Sequence, residues 1–412
     1  MRFVLINELY EKGGAEMQTK RERDLLRKHG HEVLYITLDT GLPSGKLDDD
    51  INHWNFSFDA FSDLEKLRFR FFTNQKLKRQ LEQVIMIFSP DYIHINNITD
   101  VRAVSVYKAI KKYKTFQTIR DYSAVCPMSL CITDCGETCE GFCSIDICNK
   151  LCRKNYDDTF QSKTKLYLNR FVYIWQKIIR IQTVNFFIAP SQCLTDYCNK
   201  HGFNTTCVNN PFDFSMVETV RVSEREKYND KIFLFYGLVA EHKGILQLIE
   251  AFNRFCAHNP DGLLYIAGSL DGVCNDVFYS MIKNNSRIHY LGKQTYKDMI
   301  EILTKVFAVV VPSLWLENYP NTVLEGMATK SLVIGSDRGG IPEMIGDSKW
   351  LFNIYDVNSI VNCMENAQSL SYEEYYERVN AQYLHIKDNN AMECYYDRIL
   401  KFMEKKFNEN TI

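Results

Sequence analysis

Short apolar runs alternate with amphipathic helical segments along this chain, and this alternation restricts the folds that it can adopt. A first series of predicted strands covers residues 3–6, 32–37, 92–95, 115–119 and 186–191. A second series covers residues 232–236, 263–267, 288–291, 308–311 and 332–335. Strands that alternate with helices favour parallel sheets with helices on both faces. The two series therefore predict an α/β protein with two Rossmann-like domains.

The length of 412 residues also fits two domains better than one hydrophobic core. Residues 209–213 are rich in turn-forming residues, and a charged stretch with little periodicity follows at residues 224–231. We place the domain boundary in this region, which gives a first domain at residues 1–213 and a second at residues 214–390. A final helix is predicted within residues 391–412.

Charge and composition exclude several classes of function. The chain has 49 lysines and arginines against 51 aspartates and glutamates, and its net charge of −2 gives no general attraction to nucleic acid. No apolar stretch reaches the roughly 18 residues that a membrane span needs. The chain begins with a predicted strand rather than a signal peptide, so we expect a cytoplasmic protein whose 14 cysteines are mostly reduced thiols.

Two glutamates eight positions apart, Glu317 and Glu325, flank a predicted turn from a strand to a helix. The apolar run at residues 308–311 predicts a buried strand, residues 318–321 supply turn and cap chemistry, and residues 322–328 open a helix. Open parallel sheets bind ligands outside the carboxyl ends of their strands. Buried carboxylates in that position need partners, and the hydroxyls of a sugar or a ribose are suitable ones.

A short segment after the first strand of each domain has chemistry suited to an anion. Gly13-Gly14-Ala15-Glu16 opens the first helix, where glycines allow close backbone approach and unpaired helix amides attract negative charge. Residues 236–244 read Tyr-Gly-Leu-Val-Ala-Glu-His-Lys-Gly, and Lys243 is a candidate cation for a leaving diphosphate. The simpler interpretations are a turn required only for packing and a solvated surface lysine.

Together with Gly339-Gly340-Ile341-Pro342-Glu343, these motifs resemble those of retaining, nucleotide-sugar-dependent glycosyltransferases with the GT-B fold, glycosyltransferase family 4. The resemblance extends over nearly the whole chain and is clearest over residues 230–345. It implies two Rossmann-like domains that face a central cleft, with the final helix, residues 391–412, packed back on the first domain.

The resemblance also implies a role for each matched position. Glu325 accepts hydrogen bonds from the donor ribose, and Glu317 lies by the donor sugar and its anomeric centre. The donor diphosphate is implied to lie near the first helix and the turn motifs, at Gly14, Lys243, Asn321 and Thr322. The alternatives for the two acids are a helix-surface glutamate and a capping carboxylate.

Two positions depart from the family pattern. Leu238 stands where the family has an arginine that grips the diphosphate, and Arg120 stands where members often have a histidine near the reacting sugar. Arginine donates hydrogen bonds but cannot act as a base near neutral pH. Arg120 is therefore a candidate catalytic residue that binds a phosphate or carboxylate, or else a structural ion-pair partner. His94 also matches a family strand end, and we interpret it as a structural histidine.

Half of the cysteines fall into the insertion at residues 126–152, namely Cys126, Cys131, Cys135, Cys139, Cys143, Cys148 and Cys152. Thiolates at such spacings could hold a structural zinc ion, although no CxxC pair is present. Reduced cysteines without a metal are the simpler interpretation, and disulfides are a third. In each case the insertion follows the predicted site and could set acceptor specificity.

Two stretches combine basic and aromatic residues. They cover residues 67–79 and 163–180, the second with Tyr167, Phe171, Tyr173 and Trp175. Cationic helices with aromatic side chains can rest on an anionic membrane surface. The simpler interpretation is that amphipathic helices pack their apolar faces on the first domain, with peripheral contact at the inner membrane face as an additional role.

The function implied by the resemblance is hexosyltransferase-type sugar transfer to a hydroxyl acceptor, with retained anomeric configuration and without a metal or another cofactor. The partners would be a nucleotide diphosphate sugar donor and a saccharide or lipid-linked saccharide acceptor, in surface polysaccharide or glycoconjugate biosynthesis. Leu238 and Arg120 leave open a catalytically weak homologue that acts as a binding or scaffold subunit. A nucleotide-sugar epimerase with the same fold is a third hypothesis.

Overall fold

The computed structural model describes residues 1–10, 14–47, 52–57, 62–98, 100–133, 136–141, 144–152, 160–219, 221–259, 261–271 and 275–408. The chain forms two compact units. The first comprises Met1–Asn210 with Tyr396–Ile412, and the second comprises Pro211–Tyr395. The division lies close to the boundary expected after residue 213.

An eight-stranded sheet forms the centre of the first unit. Its strands are β1 (Arg2–Asn7), β2 (Glu32–Thr37), β3 (Gly45–Lys46), β4 (His53–Asn55), β5 (Tyr92–Ile95), β6 (Thr115–Thr118), β7 (Phe186–Ala189) and β8 (Thr205–Cys207). The strand order is β3-β4-β2-β1-β5-β6-β7-β8, and all neighbours run parallel except β3 and β4. The central strands consist mainly of apolar residues that are buried on both faces, as parallel sheets require.

Helices connect these strands. They are α1 (Gly14–Lys28), α2 (Asp63–Phe71), α3 (Gln75–Phe88), α4 (Asp100–Ile110), α5 (Ile145–Leu151), α6 (Phe160–Thr183) and α7 (Gln192–Lys200). Helix α6 is 24 residues long and packs against α2, α4 and α5. No helix in the described residues combines the length and the apolar character needed to cross a bilayer.

The second unit repeats this plan with a six-stranded parallel sheet. Its strands are β9 (Ile232–Tyr236), β10 (Leu263–Ala267), β11 (Ile288–Gly292), β12 (Ala308–Val311), β13 (Leu332–Ser336) and β14 (Leu351–Phe352), in the order β11-β10-β9-β12-β13-β14. Its helices are α8 (Ser215–Glu218), α9 (Glu224–Asp230), α10 (Ile245–Phe255), α11 (Asn275–Ile282), α12 (Tyr296–Leu303), α13 (Asn321–Ala328), α14 (Ile341–Ile345), α15 (Val357–Gln368) and α16 (Tyr372–Asn390). The predicted α/β class is confirmed.

The direction of winding reverses between β9 and β12 in the second sheet. Strands β10 and β11 lie on one side of this pair, and β13 and β14 lie on the other. Ligands of open α/β sheets bind outside the carboxyl ends of the strands at such a reversal. Because β9 precedes Lys243 and β12 precedes Glu317, the second-unit motifs converge at this point.

The charged stretch with little periodicity, near which we placed the domain boundary, forms helix α9 over Glu224–Asp230. The sequence pattern did not indicate this helix, which is stabilised by tertiary contacts. Lys227 is fully buried, and its Nζ donates hydrogen bonds to the carbonyl oxygens of Leu303 (2.8 Å) and Thr329 (2.5 Å) and to Ser331 Oγ (2.8 Å). Helix α9 is therefore an integral part of the second unit.

The C-terminal end of the chain packs on the first sheet. Helix α17 (Met392–Met403) is followed by one π-helical turn at Glu404–Asn408. Tyr396 stacks on His29 with ring centroids 3.7 Å apart, and Phe402 meets Phe116 edge-on at 5.7 Å. From Tyr396 onward, the C-terminal residues belong to the first unit.

Candidate active site

Glu317 lies in the loop that follows β12, and its buried carboxylate accepts three hydrogen bonds through one oxygen. One carboxylate oxygen, Oε1, accepts hydrogen bonds from Lys243 Nζ (2.6 Å), Ser313 Oγ (2.7 Å) and Trp315 Nε1 (2.7 Å). The residue as a whole is only 7% exposed. A buried carboxylate is costly unless donors compensate it, and here three donors, one of them charged, hold it in a single orientation.

Lys243 reaches this carboxylate from the connection between β9 and α10. Its Nζ also lies 4.4 Å from the centroid of the Trp315 ring, so the cation contacts both an aromatic face and an anion. Gly244 follows with a φ of +72°, and a Cβ at this position would collide with the carbonyl oxygen of Pro312. Glycine is therefore required for the connection to pack against the loop that carries Glu317.

The glycine pair at residues 339 and 340 holds the backbone of Glu317 from the other side. Gly340 N donates to the Glu317 carbonyl oxygen at 2.6 Å, and a Cβ on Gly339, where φ is +60°, would overlap the Glu317 backbone. Arg338 Nε donates to the carbonyl oxygen of Leu314 at 3.1 Å. These contacts fix both the backbone and the side chain of Glu317.

Glu325 lies on α13 and is half-buried. Its Oε2 accepts a 2.6 Å hydrogen bond from the hydroxyl of Tyr236, the last residue of β9. Burial, together with the Glu325 carboxylate, raises the pKa of Tyr236 well above its usual value, so this hydroxyl remains a donor at neutral pH. The next residue, Gly326, has no side chain, which lets α13 approach Val309 and Val333 of the sheet.

Helix α13 begins at Asn321, one residue before the predicted start. The N-cap is Pro320, and no side chain caps the helix, so the expected cap chemistry from residues 318–321 was wrong. Asn321 and Thr322 are the first two residues of the helix, and both are half-buried. Their position at the positive end of the helix dipole follows from the sequence, whereas the missing cap does not.

The first unit contains the remaining predicted site residues. Gly14 is the first residue of α1 and is exposed, whereas Gly13 lies outside the described residues. Arg120 follows β6, where its Nη1 donates to Asn210 Oδ1 (3.0 Å) and its Nη2 donates to Asn96 Oδ1 (2.6 Å). Two side-chain amides therefore orient this guanidinium.

His94 and Leu238 are the two remaining positions that were compared with the family pattern. His94 is completely buried between Glu22 Oε1 and Thr118 Oγ1, each 2.7 Å from a ring nitrogen, as expected for a structural histidine. Leu238, which replaces the expected arginine, is 41% exposed. Lys243 therefore stands beside Glu317 without the second cation that the resemblance implies at position 238.

The cysteine-rich insertion is only partly described, because Cys135 and Cys143 lie outside the described residues. A hydrogen bond with the Cys131 side chain, aided by backbone hydrogen bonds from residues 128, 130 and 131, lowers the pKa of Cys126 to about 6 despite its burial. Cys139 and Cys152 donate to backbone carbonyls of Gly141 and Ile132. In the described ranges, no three metal-ligating side chains form a group that could hold a metal ion. The zinc site stays a prediction.

Three contributors to the site were missed by sequence analysis. Tyr236, Ser313 and Trp315 each donate to one of the two glutamates. All three lie inside the motifs that we singled out, but only the tertiary structure shows that their polar atoms face the acids. A polar or aromatic residue at the carboxyl end of a strand was the available signal. Each acid thus accepts a hydrogen bond from this part of the unit, Glu325 from the end of β9 and Glu317 from the β9–α10 connection.

The fold and these motifs resemble those of glycosyltransferases. Residues 216–382 match the family model described as "Glycosyl transferases group 1". The predicted enzyme class, a glycosyltransferase, is confirmed. Over 379 residues the chain is 25% identical to an "Uncharacterized 42.6 kDa protein in cps region" of Klebsiella pneumoniae, with 87% of this chain and 91% of the relative covered.

Solved structures match the chain over almost its full length. Sucrose-phosphate synthase from Thermosynechococcus elongatus has a TM-score of 0.69 at 13% identity, covering 99% of this chain and 100% of that one. HepE from Anabaena, in complex with UDP and glucose, has a TM-score of 0.67 at 14% identity, covering 98% and 100%. At these identities the likeness concerns the fold alone, and the predicted GT-B fold is confirmed.

Proposed function

We propose that the protein is a retaining glycosyltransferase of family 4 that moves a sugar from a nucleotide diphosphate sugar to a hydroxyl acceptor. The observation that carries the proposal is the pair of held carboxylates, Glu317 and Glu325, beside the strands where the second sheet reverses its order. Carboxylates suit the hydroxyls of a glycosyl nucleotide, and an adjacent lysine suits its diphosphate. The HepE structures contain UDP, glucose or UDP-glucose, which supports a uridine diphosphate sugar as the first donor to test.

Each half of the donor has a matching group in the second unit. Glu325, fixed by Tyr236, would accept hydrogen bonds from the ribose hydroxyls. Glu317 would lie by the transferred sugar, and Lys243 would share its charge between this carboxylate and the diphosphate. The uncapped start of α13, at Asn321 and Thr322, adds backbone donors and a favourable dipole for the same diphosphate.

The proposed reaction breaks the bond between the anomeric carbon and the diphosphate oxygen, and forms a bond from that carbon to the acceptor oxygen. The acceptor attacks from the face that the diphosphate leaves, and a diphosphate oxygen takes the acceptor proton. Lys243 stabilises the negative charge that develops on the leaving diphosphate. In the first unit, Gly14 would allow close approach of the diphosphate and Arg120 would donate to an anionic group, since it cannot act as a base. We propose that the reaction needs no metal or other cofactor.

The biological setting that we propose is surface polysaccharide or glycoconjugate biosynthesis, with a saccharide or lipid-linked saccharide as acceptor. The relative from Klebsiella pneumoniae, which is described as lying in a cps region, supports this setting.

A panel of uridine, guanosine and adenosine diphosphate sugars tests the donor assignment by thermal shift. We expect one class of nucleotide to raise the melting temperature of the wild-type protein. Glu325→Ala should raise the Kd of that donor about tenfold, because one charged hydrogen-bond acceptor is lost. Glu301→Ala, which removes an exposed glutamate on α12, is the matched control and should leave the Kd unchanged. A panel without any stabilising donor would refute the proposal.

The exposed Leu238 favours a second candidate, a catalytically weak homologue that binds a sugar nucleotide without transferring it. Release of nucleoside diphosphate from the stabilising donor separates the two candidates. Measurable release that Glu317→Gln abolishes supports the enzyme. Donor binding without release, under conditions that include a panel of acceptors, supports the binding subunit.

We also propose that α2 and α6 contact an anionic membrane surface. Four large side chains form an exposed stripe along α6, Tyr167, Phe171, Trp175 and Ile178. The stripe continues onto α2, which has no buried residue. The centroids of the Phe71 and Phe171 rings lie 6.0 Å apart, and Trp175 Nε1 donates to the Phe71 carbonyl oxygen at 3.0 Å. Helix α6 has no acidic residue, and the exposed cations of this region include Lys165 of α6 and Arg68 of α2. Exposed apolar area beside positive charge is typical of an interfacial helix.

Flotation with vesicles of phosphatidylcholine, with and without phosphatidylglycerol, tests this contact. The wild-type protein should bind only the anionic vesicles, and binding should weaken as salt screens the charges. Phe171→Ser combined with Trp175→Ser should reduce the bound fraction about fivefold or more. Leu384→Ser removes an equally exposed apolar side chain from the second unit and should have no effect. Equal flotation of both variants would contradict the proposal.

A further inference from the structure

The first unit contains a polar cavity of about 450 Å³ that the proposed donor chemistry does not use. It is bounded by α4, by α6 and by the segment at residues 121–129, where the cysteine-rich insertion begins. Arg70 of α2 closes one side. Ligand cavities typically measure roughly 300–1,000 Å³, so this one is large enough for a sugar phosphate or a diphosphate group.

Cations dominate the charged groups of the cavity wall. Arg170, Lys177 and Arg180 project from one face of α6, and Arg70 adds a fourth positive charge. Asp121 is the single acidic residue among the lining residues. Because the chain as a whole is slightly acidic, this local excess of positive charge is not a consequence of composition.

The partners of the three α6 cations are neutral. Arg180 Nε donates to the Tyr107 hydroxyl at 2.9 Å, and Arg170 Nε donates to Asn149 Oδ1 at 3.4 Å. Lys177 Nζ lies 5.5 Å from the centroid of the Phe203 ring, and burial lowers the pKa of this lysine. Within the part of the chain that the structure describes, none of the three forms a salt bridge. Asp121, the single acid among the lining residues, also acts electrostatically on Arg180, so one anion faces four cations in the cavity wall. An anionic ligand would balance the remaining positive charge.

We propose that this cavity binds a phosphate group carried by the acceptor. The proposal rests on the proposed function, because it assigns the acceptor of the same transfer. A phosphate monoester or diphosphate matches several cations better than a carboxylate does, because it carries more charge and more acceptor oxygens. Ser123 and Ser129 line the same cavity and add neutral donors.

The two faces of α6 would then serve one acceptor. The cavity face supplies cations for its phosphate, and the opposite, exposed face carries the apolar stripe. The phosphate could belong to a soluble sugar phosphate or to a lipid phosphate, and the chemistry recognised in the cavity is the same in both cases.

Calorimetric titration of the full-length protein with inorganic pyrophosphate tests the site. Lys177→Gln should raise the Kd about tenfold, as expected for the loss of one charge-assisted contact. Arg180→Gln should have an effect of similar size, but Arg180 also bonds Tyr107, so the melting temperature of this variant must be checked. Lys165→Gln removes an exposed positive charge from the same helix outside the cavity and should leave the Kd unchanged.

Two further titrations identify the kind of molecule that carries the phosphate. Glucose 1-phosphate and short-chain phosphatidic acid below its micelle concentration are titrated into the wild-type and Lys177→Gln proteins. If Lys177→Gln raises the Kd of the sugar phosphate alone, the acceptor is soluble. If it raises the Kd of the lipid, the cavity binds a lipid phosphate. Equal binding of pyrophosphate to the wild-type protein, Lys177→Gln and Arg180→Gln would overturn the proposal, and so would equal binding of sulfate and pyrophosphate.

A failure of the cavity proposal can be distinguished from a failure of the proposed function. Donor-induced thermal shifts depend on the second unit and should be the same for Lys177→Gln and the wild-type protein. If no sugar nucleotide stabilises the protein while pyrophosphate binding remains sensitive to Lys177→Gln, the donor assignment fails and the phosphate site stands. If donors bind normally and Lys177→Gln leaves the Kd of pyrophosphate unchanged, only the cavity proposal fails.

Discussion

The two units hold their charged groups in opposite ways. In the second unit, Glu317 and Glu325 are satisfied by donors from the protein itself, with Lys243 and Tyr236 both 2.6 Å away. In the first unit, Lys177 and Arg180 face a cavity, where Lys177 lies near the Phe203 ring and Arg180 donates to the Tyr107 hydroxyl. The first arrangement is an ordered acceptor surface for hydroxyl groups, and the second is an excess of positive charge with Asp121 as the single acid among the lining residues.

This difference indicates which ligand each unit can recognise. A carboxylate that is already oriented loses little conformational entropy when a sugar hydroxyl binds, so the second unit suits a neutral, hydroxyl-rich group. A cluster of cations gains most from an incoming anion. A glycosyl nucleotide in one unit and a phosphate-bearing acceptor in the other would satisfy both.

The largest expected effect concerns Lys227, a buried cation that has neutral partners but faces no described cavity. Lys227→Met would remove the donor of three buried hydrogen bonds, and we expect the unfolding free energy of the second unit to fall by about 3 kcal/mol or more. Calorimetric unfolding measures this change, with Lys305→Met as the exposed control. Lys177→Gln should leave the melting temperature nearly unchanged, since the Lys177 side chain makes no hydrogen bond to the residues that the structure describes. Equal destabilisation by both variants would remove the distinction between structural and ligand-binding cations.

The second prediction concerns Glu317, whose charge balances Lys243. Glu317→Gln keeps the shape of the side chain but removes the charge and places an amide among three donors. We expect kcat to fall by about 10²–10³, the range found when a preorganised electrostatic contact is removed, while the donor Kd changes little. Steady-state kinetics and donor titration measure the two quantities. A large rise in the donor Kd with an unchanged kcat would assign Glu317 to binding instead.

Most of the central strands could be predicted from the sequence because each is a buried, apolar run. The bounds of β2, β5, β9, β10 and β12 agree with the predicted residues. The missed strands β3, β4, β8 and β14 have only two or three residues and lie at or near the sheet edges, where little apolar periodicity can develop. Helix α9 was missed because polar and aromatic contacts, such as those of Lys227 and Tyr228, hold it in place rather than an apolar stripe.

The acids of the second unit could be predicted because their motif is contiguous in sequence, with Glu317 and Glu325 on either side of one turn. The pairing of the acids with Tyr236 and Lys243 was not predictable, since these partners lie at the end of β9 and in the β9–α10 connection, more than 70 residues earlier. The cavity of the first unit was also not predictable. Lys165 and Lys177 are both lysines on one basic helix, and only the fold places one on the surface and the other in the cavity wall.

The smallest expected effect, and the most specific, concerns the hydroxyl of Tyr236. Tyr236→Phe keeps the ring packing but removes the 2.6 Å hydrogen bond that orients Glu325, and we expect the KM for the donor to rise about fivefold with little change in kcat. Tyr290→Phe removes a hydroxyl that donates to the Gly268 carbonyl oxygen in the same unit and serves as the matched control.

A double-mutant cycle decides whether Tyr236 acts through Glu325. If the hydroxyl only positions the carboxylate, adding Tyr236→Phe to Glu325→Ala should produce no further rise in the donor KM, because the group to be positioned is already gone. Additive effects would mean that Tyr236 contacts the donor itself. In that case the second unit would recognise its ligand through a neutral hydroxyl as well as through carboxylates, and its contrast with the cationic cavity of the first unit would be weaker.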